Sequence, residues 1–366
     1  MIKILYVITA LSQSDGVAAY LMNYLSKIDT NKFDITIVTG KLRNSEDYLK
    51  LCSDKGIKIV EFPYIRDVSV FEYKKLVKSF FKENHDFDII HSNVVNFGLF
   101  YLREAKKYKV PVRIIHSHAT KAAYSKIKNI RNKIVSIYTK RLCNEYFACS
   151  NMAGEYLFGK KKFTIINNAI DTTRYNYNKD MNASIREKLG IDVNRRIIGF
   201  VGRICIQKNP LFAIKAFNEL MDKSNEYELV IAGYGPLENE LLNAINNSKY
   251  KDSIHYLGEI NYVNDLYSCF DYLIMPSLFE GLPVVGIEAQ MSNVYCLFSS
   301  NITKEVKIAD QAKFIGIDDS SLWVDSILDS KPDKDNYVID KSKYDIIYQV
   351  KELENKYIDL VNKYKK

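Results

Sequence analysis

The stretch Tyr227–Leu241, YELVIAGYGPLENEL, shows in fifteen residues the unit from which the chain is built. A short apolar run closes on Gly233-Tyr234-Gly235-Pro236 and a segment with leucines at 237, 241 and 242 follows. A short apolar run closed by Gly and Pro reads as a buried strand, and a proline just ahead of a helix fits because the missing N–H has no partner there anyway. The unit is strand, turn, helix. It is not the dinucleotide fingerprint, because the third glycine of G-x-G-x-x-G falls on Glu238.

The same unit recurs in both directions. Towards the N-terminus come IKILYVIT, a helix over Val17–Ile28, FDITIVTG, a helix over Ser45–Lys55, and IKIVEFP. DFDIIHSN, a helix near Phe97–Lys107, VPVRIIHSHAT, a basic helix, EYFACS and KFTIINNAI continue the series. After a polar, Asn-rich interruption it restarts with RRIIGFVGR, a helix over Pro210–Met221, the opening stretch, SIHYLGE, and a helix near Val263–Cys269. DYLIMPS, a helix beginning near Val285, and VYCLFSS complete it. Such alternation predicts parallel sheets with helices on both faces, and 366 residues exceed one ordinary core. The expected fold is α/β, with two doubly wound domains: residues 1–171, a linker over 172–194, residues 195–342, and a C-terminal crossing helix over 343–366 that packs back on the first domain.

Composition narrows the class of partner. Hydrophobic residues are 47% and charged residues 26%, as in a folded globular protein. A net charge of +8 favours anionic partners such as nucleotides and phospholipids. Six scattered cysteines without a C-x-x-C pair suggest neither a zinc site nor a disulfide framework, and a reducing cytoplasm fits. The opening MIKILYVITALSQSDG resembles a signal peptide only as far as Leu11, and reads as a first strand. No run approaches the roughly 18–20 apolar residues of a membrane span, so any membrane contact is expected to be peripheral.

In a doubly wound sheet ligands sit beyond the carboxyl ends of the strands, which makes the strand-ending loops the candidates. SLFEGLPVVGIEAQ, Ser277–Gln290, carries Glu280 in a Gly/Pro loop and Glu288 on the following helix. Carboxylates accept hydrogen bonds from vicinal hydroxyls, as a ribose or hexose presents them, and the amides of Gly281 and Leu282 beside a helix start suit a diphosphate. A glycosidase acid and base, metal ligands, or a capping and an exposed glutamate are the competing readings. Arg203 and Lys208, in GFVGRICIQKNP, make a phosphate site or a solvated surface. Gly233, Gly235 and Gly258 allow a base or phosphate to approach the backbone, or simply make turns. In the first half, Gly16 stands before a helix and can lend amides to an anion. His116 and His118 end one strand, and His91, which ends another, could supply a third ligand; no metal is expected of them, because nothing in the second half supplies a carboxylate or water-activating geometry. Residues 121–141 carry seven cations and no acid with isoleucines at helical spacing, a core-packed helix or a surface for anionic lipid. Nucleic acid is not expected, since no reading motif accompanies the charge.

In order, HSHAT, ACSNMAGEYLFG, IINNAIDTTRY, VGRICIQKNP, IAGYGPLENEL, YLGE and DYLIMPSLFEGLPVVGIEAQ resemble the retaining glycosyltransferases of family 4, with the GT-B fold. Bacterial exopolysaccharide and capsule glycosyltransferases are the most similar group. The resemblance spans nearly the whole chain and is most specific at the two glutamates separated by seven residues. It implies a nucleotide-sugar donor, with UDP expected, and a lipid-linked or oligosaccharide acceptor held by the first domain. It implies that Glu280 holds hydroxyls of the donor sugar and Glu288 the ribose, and that Arg203 and Lys208 neutralise the diphosphate. Gly16 would approach the diphosphate from the first domain, and His118 or His116 would lie near the reacting carbon. No metal or other cofactor is implied, and the expected location is cytoplasmic, at the inner face of the membrane. A GT-B epimerase and a non-catalytic nucleotide-binding partner are the alternatives. Three departures stand out: Asp15 replaces the first glycine of a Gly-Gly pair, Asn168 replaces a glycine that tolerates left-handed geometry, and MSNVYCLFSS replaces a small-residue run after Gln290.

Overall fold

The computed structural model describes residues 1–13, 15–40, 42–43, 45–118, 126–335 and 338–365, and for residues 43, 126–131 and 133 the backbone alone. The chain divides into two compact units, Met1–Ala169 with Asp345–Lys366, and Ile170–Tyr344.

In the first unit the strands are β1 (Ile2–Val7), β2 (Leu11–Ser12), β3 (Phe33–Thr39), β4 (Leu42–Arg43), β5 (Lys58–Glu61), β6 (Ile89–Ser92), β7 (Val112–Ser117), β8 (Glu145–Ala148) and β9 (Thr164–Ile165). The helices are α1 (Gly16–Lys27), α2 (Glu46–Asp54), α3 (Val70–Glu83), α4 (Gly98–Lys107), α5 (Lys126–Leu142) and α6 (Asn151–Phe158). Seven strands form one sheet in the order β5-β3-β1-β6-β7-β8-β9, all pairs parallel. β1 shows why its residues are apolar on both sides: Ile4 and Tyr6 join one core, Leu5 and Val7 the other, and both sheet faces are covered.

The last helix of the chain, α13 (Ile346–Tyr364), belongs to this unit, as expected for the crossing helix. Asp345 caps it by accepting from the Ile347 N–H at 2.8 Å. Its stripe of Ile346, Val350, Leu353, Tyr357 and Leu360 recurs at three- to four-residue spacing and, with Val361, is buried in the same core as Ile4 and Tyr6. Full burial of each large side chain stabilises by about 1.5–3 kcal/mol, which holds this distant segment to the first unit.

The second unit contains α7 (Lys179–Leu189), β10 (Arg196–Val201), α8 (Pro210–Lys223), β11 (Tyr227–Ala232), α9 (Glu238–Asn246), β12 (Ile254–Tyr256), α10 (Val263–Leu266), β13 (Tyr272–Met275), α11 (Val284–Met291), β14 (Tyr295–Ser299), β15 (Ala312–Ile315) and α12 (Ser321–Leu328). Its parallel sheet has the order β12-β11-β10-β13-β14-β15. The strand order reverses between β10 and β13, and in the first unit between β1 and β6. At such a reversal the following loops part in opposite directions and leave a crevice.

Two details differ from expectation. Residues 172–194, expected as a linker, hold a 3-10 turn (Thr172–Arg174) and α7, and lie within the second unit. Arg186 of α7 reaches Asp271 ahead of β13 at 3.4 Å. The stretch looked structureless because α7 buries only Ile185, leaving too little apolar periodicity to read. Asn168 needs no left-handed allowance: among the described non-glycine residues only Lys109, Asn209 and Asn293 have positive φ.

Candidate active site

The crevice-forming loops of the second unit are stapled together. The Gln207 side-chain amide donates to the Phe279 carbonyl (3.0 Å), the Leu278 N–H to the Gln207 carbonyl (2.8 Å), and the Asn209 amide to the Pro276 carbonyl (3.3 Å). Asn209 is in left-handed conformation at φ 55°, one residue before Pro210 opens α8. These bonds join the loop after β10 to the loop after β13, and the two functional candidates they carry meet: Lys208 Nζ lies 2.7 Å from Glu280 Oε1. The side chains are 17% and 10% exposed. The pair is therefore shielded well beyond an ordinary surface ion pair. Arg203, on the same loop as Lys208, is exposed.

Gly233 illustrates the packing behind this edge. Its φ is 139°, and a Cβ there would stand 2.0 Å from the Gly202 carbonyl oxygen. Its own N–H donates to the Gly258 carbonyl at 2.7 Å. A Cβ on Gly235 would stand 2.3 Å from the Ile204 carbonyl oxygen. These glycines thus let three strand ends interlock, and the Gly233 amide is already engaged within the unit. Gly281 and Leu282 are both buried in the loop that leads to α11, which begins without a side-chain cap.

Glu288, half-buried on α11, has a different setting. Tyr175 donates to its Oε1 and Tyr267 to its Oε2, each at 2.9 Å. Burial raises its pKa, while the two phenol hydrogen bonds and the nearby Arg174 charge pull in the opposite direction. The two glutamates are thus held by separate partners, a cation for one and two hydroxyls for the other. A polar cavity of about 480 Å³ in the same unit is lined by residues next to these tyrosines in the chain, Arg174 and Ser268, together with Tyr177, Lys179 and Asp265. None of Arg203, Lys208, Glu280 and Glu288 lines it.

In the first unit the histidines do come together. His91 Nδ1 is 2.6 Å from the Tyr357 hydroxyl, which is 2.7 Å from that of Tyr6, and His91 Nε2 is 3.0 Å from His116 Nδ1. The His116 and His118 ring centroids are 4.0 Å apart, and Tyr20 lies against both. His118 Nε2 is 2.8 Å from Asn93 Oδ1. Burial holds His91 and His118 down to about 3 and His116 well below its ordinary value. All three are neutral at physiological pH. Both ring nitrogens of His91 are engaged in hydrogen bonds, so it is not disposed to serve as a third metal ligand.

Gly16 opens α1, and the Asp15 carboxylate accepts from the N–H groups of Val17 and Ala18 at 2.9 and 3.0 Å. The amides expected to receive an anion already hold one from the chain itself. Of the basic segment 121–141, residues 121–125 lie outside the described residues, and α5 begins at Lys126. Ile134, Ile137 and Tyr138, candidates for a core-facing stripe, are 52%, 42% and 57% exposed.

Comparison with known proteins agrees with this architecture. Residues 181–319 match the family model "Glycosyl transferases group 1" and residues 14–174 the model "Glycosyltransferase Family 4". EpsF of Bacillus subtilis is 29% identical over 316 residues, covering 83% of this chain and 80% of the relative. The UDP-Gal:alpha-D-GlcNAc-diphosphoundecaprenol alpha-1,3-galactosyltransferase of Escherichia coli is 24% identical over 94% of each chain. Among solved structures, Anabaena HepE in complex with UDP and glucose superposes with a TM-score of 0.73 at 15% identity, over 99% of this chain and 98% of that one. With a glycosyltransferase family model on each unit and the fold of these enzymes along its whole length, the chain belongs to the GT-B glycosyltransferases.

Proposed function

We propose that the protein is a retaining hexosyltransferase that moves a sugar from a UDP-sugar to a lipid-linked or oligosaccharide acceptor in surface polysaccharide synthesis. The observation that carries this reading is the Lys208–Glu280 pair, 2.7 Å apart on loops stapled at the strand reversal of the second unit. Glu280 offers carboxylate oxygens to the hydroxyls of the donor sugar, and Glu288 offers its own to the ribose. Breaking the bond between the anomeric carbon and the diphosphate builds negative charge on phosphate. Lys208 and Arg203 meet that charge, and a preorganised cation lowers the barrier more than a mobile one. The acceptor oxygen bonds to the anomeric carbon on the face the diphosphate leaves, and its proton passes to the leaving phosphate. His118, neutral and oriented by Asn93, receives a hydroxyl near the reacting carbon. The chain needs no resident metal in this scheme.

The relatives support the substrate class. The E. coli relative is named for transfer to a diphosphoundecaprenol-linked sugar, a Campylobacter jejuni relative for a PP-undecaprenol-linked one, and a Staphylococcus aureus relative for capsular polysaccharide biosynthesis. Among the described residues no helix is long and apolar enough to cross a membrane. Contact with the inner membrane face runs through α5, where exposed Ile134, Ile137 and Tyr138 lie in a strongly basic sequence. Replacing Lys126, Lys128, Arg131 and Lys133 by Gln should release the protein from anionic vesicles; unchanged sedimentation counts against this contact.

A panel of UDP-, GDP- and dTDP-sugars, supplied with and without an undecaprenyl-diphosphate-linked acceptor and with EDTA, tests the whole reading. The expected product forms from a UDP-sugar only when acceptor is present, survives EDTA, and keeps the anomeric configuration by NMR. Epimerised donor in the absence of acceptor would overturn it.

A further inference from the structure

The assignment of Glu288 to the ribose raises the question of what holds a half-buried carboxylate whose burial favours its neutral form. Two hydroxyls answer from different parts of the second unit. Tyr267 begins the 3-10 turn that follows α10 and is fully buried; Tyr175 follows the 3-10 turn Thr172–Arg174 in the stretch expected as a linker. Their ring centroids are 6.2 Å apart, and each takes a different carboxylate oxygen at 2.9 Å.

We propose that Tyr175 and Tyr267 are positioning residues for the nucleotide, holding the Glu288 carboxylate ionised and oriented so that its remaining lone pairs receive the ribose diol. This rests on the reading that Glu288 binds ribose. A carboxylate oxygen has two lone pairs. With one on each oxygen taken by a phenol, the other on each is left for a vicinal hydroxyl, and the carboxylate plane is fixed by the two phenols. The anion accepts from both phenols and keeps a lone pair on each oxygen, whereas the protonated acid would give one of those sites to its own O–H, so the arrangement favours the anion. The titratable and charged groups facing this carboxylate are Tyr175, Tyr267 and Arg174. Beyond the effect of burial, Cys296 of β14 is close enough to Tyr267 to raise its pKa slightly.

The sign of the effect follows from these contacts. Burial favours the neutral acid and the phenols oppose it, so removing one phenol hydroxyl raises the pH at which Glu288 gains its proton. Ribose binding needs the anion; it is complete above that pH and lost as pH falls through it.

Calorimetric titration with UDP from pH 5 to 8, on wild type, Tyr175→Phe and Tyr267→Phe, tests the proposal. Each substitution should move the acid-side loss of affinity upward by roughly one to two pH units, the effect of removing one hydrogen bond to a charged acceptor. The secondary ionisation of UDP is common to all variants and cancels in the comparison. Tyr175 is half-buried, so its variant is informative even if Tyr267→Phe unfolds. Tyrosine variants whose pH profiles keep the wild-type midpoint overturn the proposal, whatever their uniform loss of affinity. Glu288→Gln separates the two levels: UDP affinity untouched by it sinks the ribose assignment itself. Affinity weakened by it, with unmoved tyrosine profiles, sinks the role of the tyrosines alone.

Discussion

The strand-end clusters of the two units sit at equivalent places in their own sheets, at or beside the reversal of strand order, and differ in how they treat charge. In the second unit Lys208 and Glu280 are paired at 2.7 Å and Glu288 is held by two phenols. In the first unit His91, His116 and His118 stack among tyrosines, and burial holds all three neutral. A common backbone location therefore leaves the electrostatics open; the donors that surround each group decide it. The paired cluster suits binding charged phosphate and polar hydroxyls. The neutral cluster offers lone pairs, N–H groups and flat surfaces to a sugar without adding a cation.

The largest expected effect breaks the charged cluster. Lys208→Met should lower kcat by roughly 10²- to 10³-fold, the usual consequence of losing one preorganised group at a developing charge. Glu280→Gln should lower kcat/KM by roughly 10- to 100-fold, as expected for one hydrogen-bonding partner of a charged network. Because the two residues touch, the double variant should lose less than the two effects combined, by about 1–3 kcal/mol in the initial-rate comparison. Strict additivity would mean that the ion pair is not one functional unit.

The neutral cluster is broken by acid. A histidine that stays neutral in the folded chain but takes a proton near pH 6.5 when unfolded makes the unfolded state bind more protons. Stability is complete above about pH 6.5 and falls as pH drops from there towards the folded value of about 3 for His91 and His118. The slope reaches at most about 1.4 kcal/mol per histidine per pH unit. Urea unfolding at pH 7 and pH 5 should show this loss, and His91→Gln should flatten it. A His91→Gln slope equal to wild type would place the acid sensitivity elsewhere.

What the sequence made legible follows from how local each signal is. The strand–turn–helix alternation gave both sheets, and Lys208 and Glu280 each stood out on a strand-ending loop. Their pairing did not, because 72 residues separate them and the Gln207 and Asn209 bonds that bring them together are side-chain contacts across a crossover. Tyr175 and Tyr267 were invisible for the same reason: they stand 113 and 21 positions ahead of Glu288 along the chain. Other features were present but unread. α3 places Tyr73, Val77 and Phe80 at four- and three-residue spacing, a helical stripe. Asp15 directly ahead of Gly16 is an ordinary helix-capping signal, and the structure uses it as one.

Asp15 supplies the smallest effect and the closest contrast between the clusters, since it puts a carboxylate where an anionic ligand is expected from the family resemblance. Asp15→Gly restores the Gly-Gly pair. As a cap, Asp to Gly costs only a few tenths of a kcal/mol, because water and a flexible backbone replace much of what the side chain did. If Gly16 approaches the donor diphosphate, removing the carboxylate also frees the Val17 and Ala18 amides and relieves a repulsion on the order of 1 kcal/mol at a solvated separation of about 4 Å. The donor KM should then fall roughly fivefold while the unfolding midpoint drops slightly. Both changes have the same cause and opposite consequences for stability and binding. A donor KM that stays level while stability falls would leave Asp15 a cap alone and remove Gly16 from the site; the charged cluster of the second unit would then carry the diphosphate without help from the first.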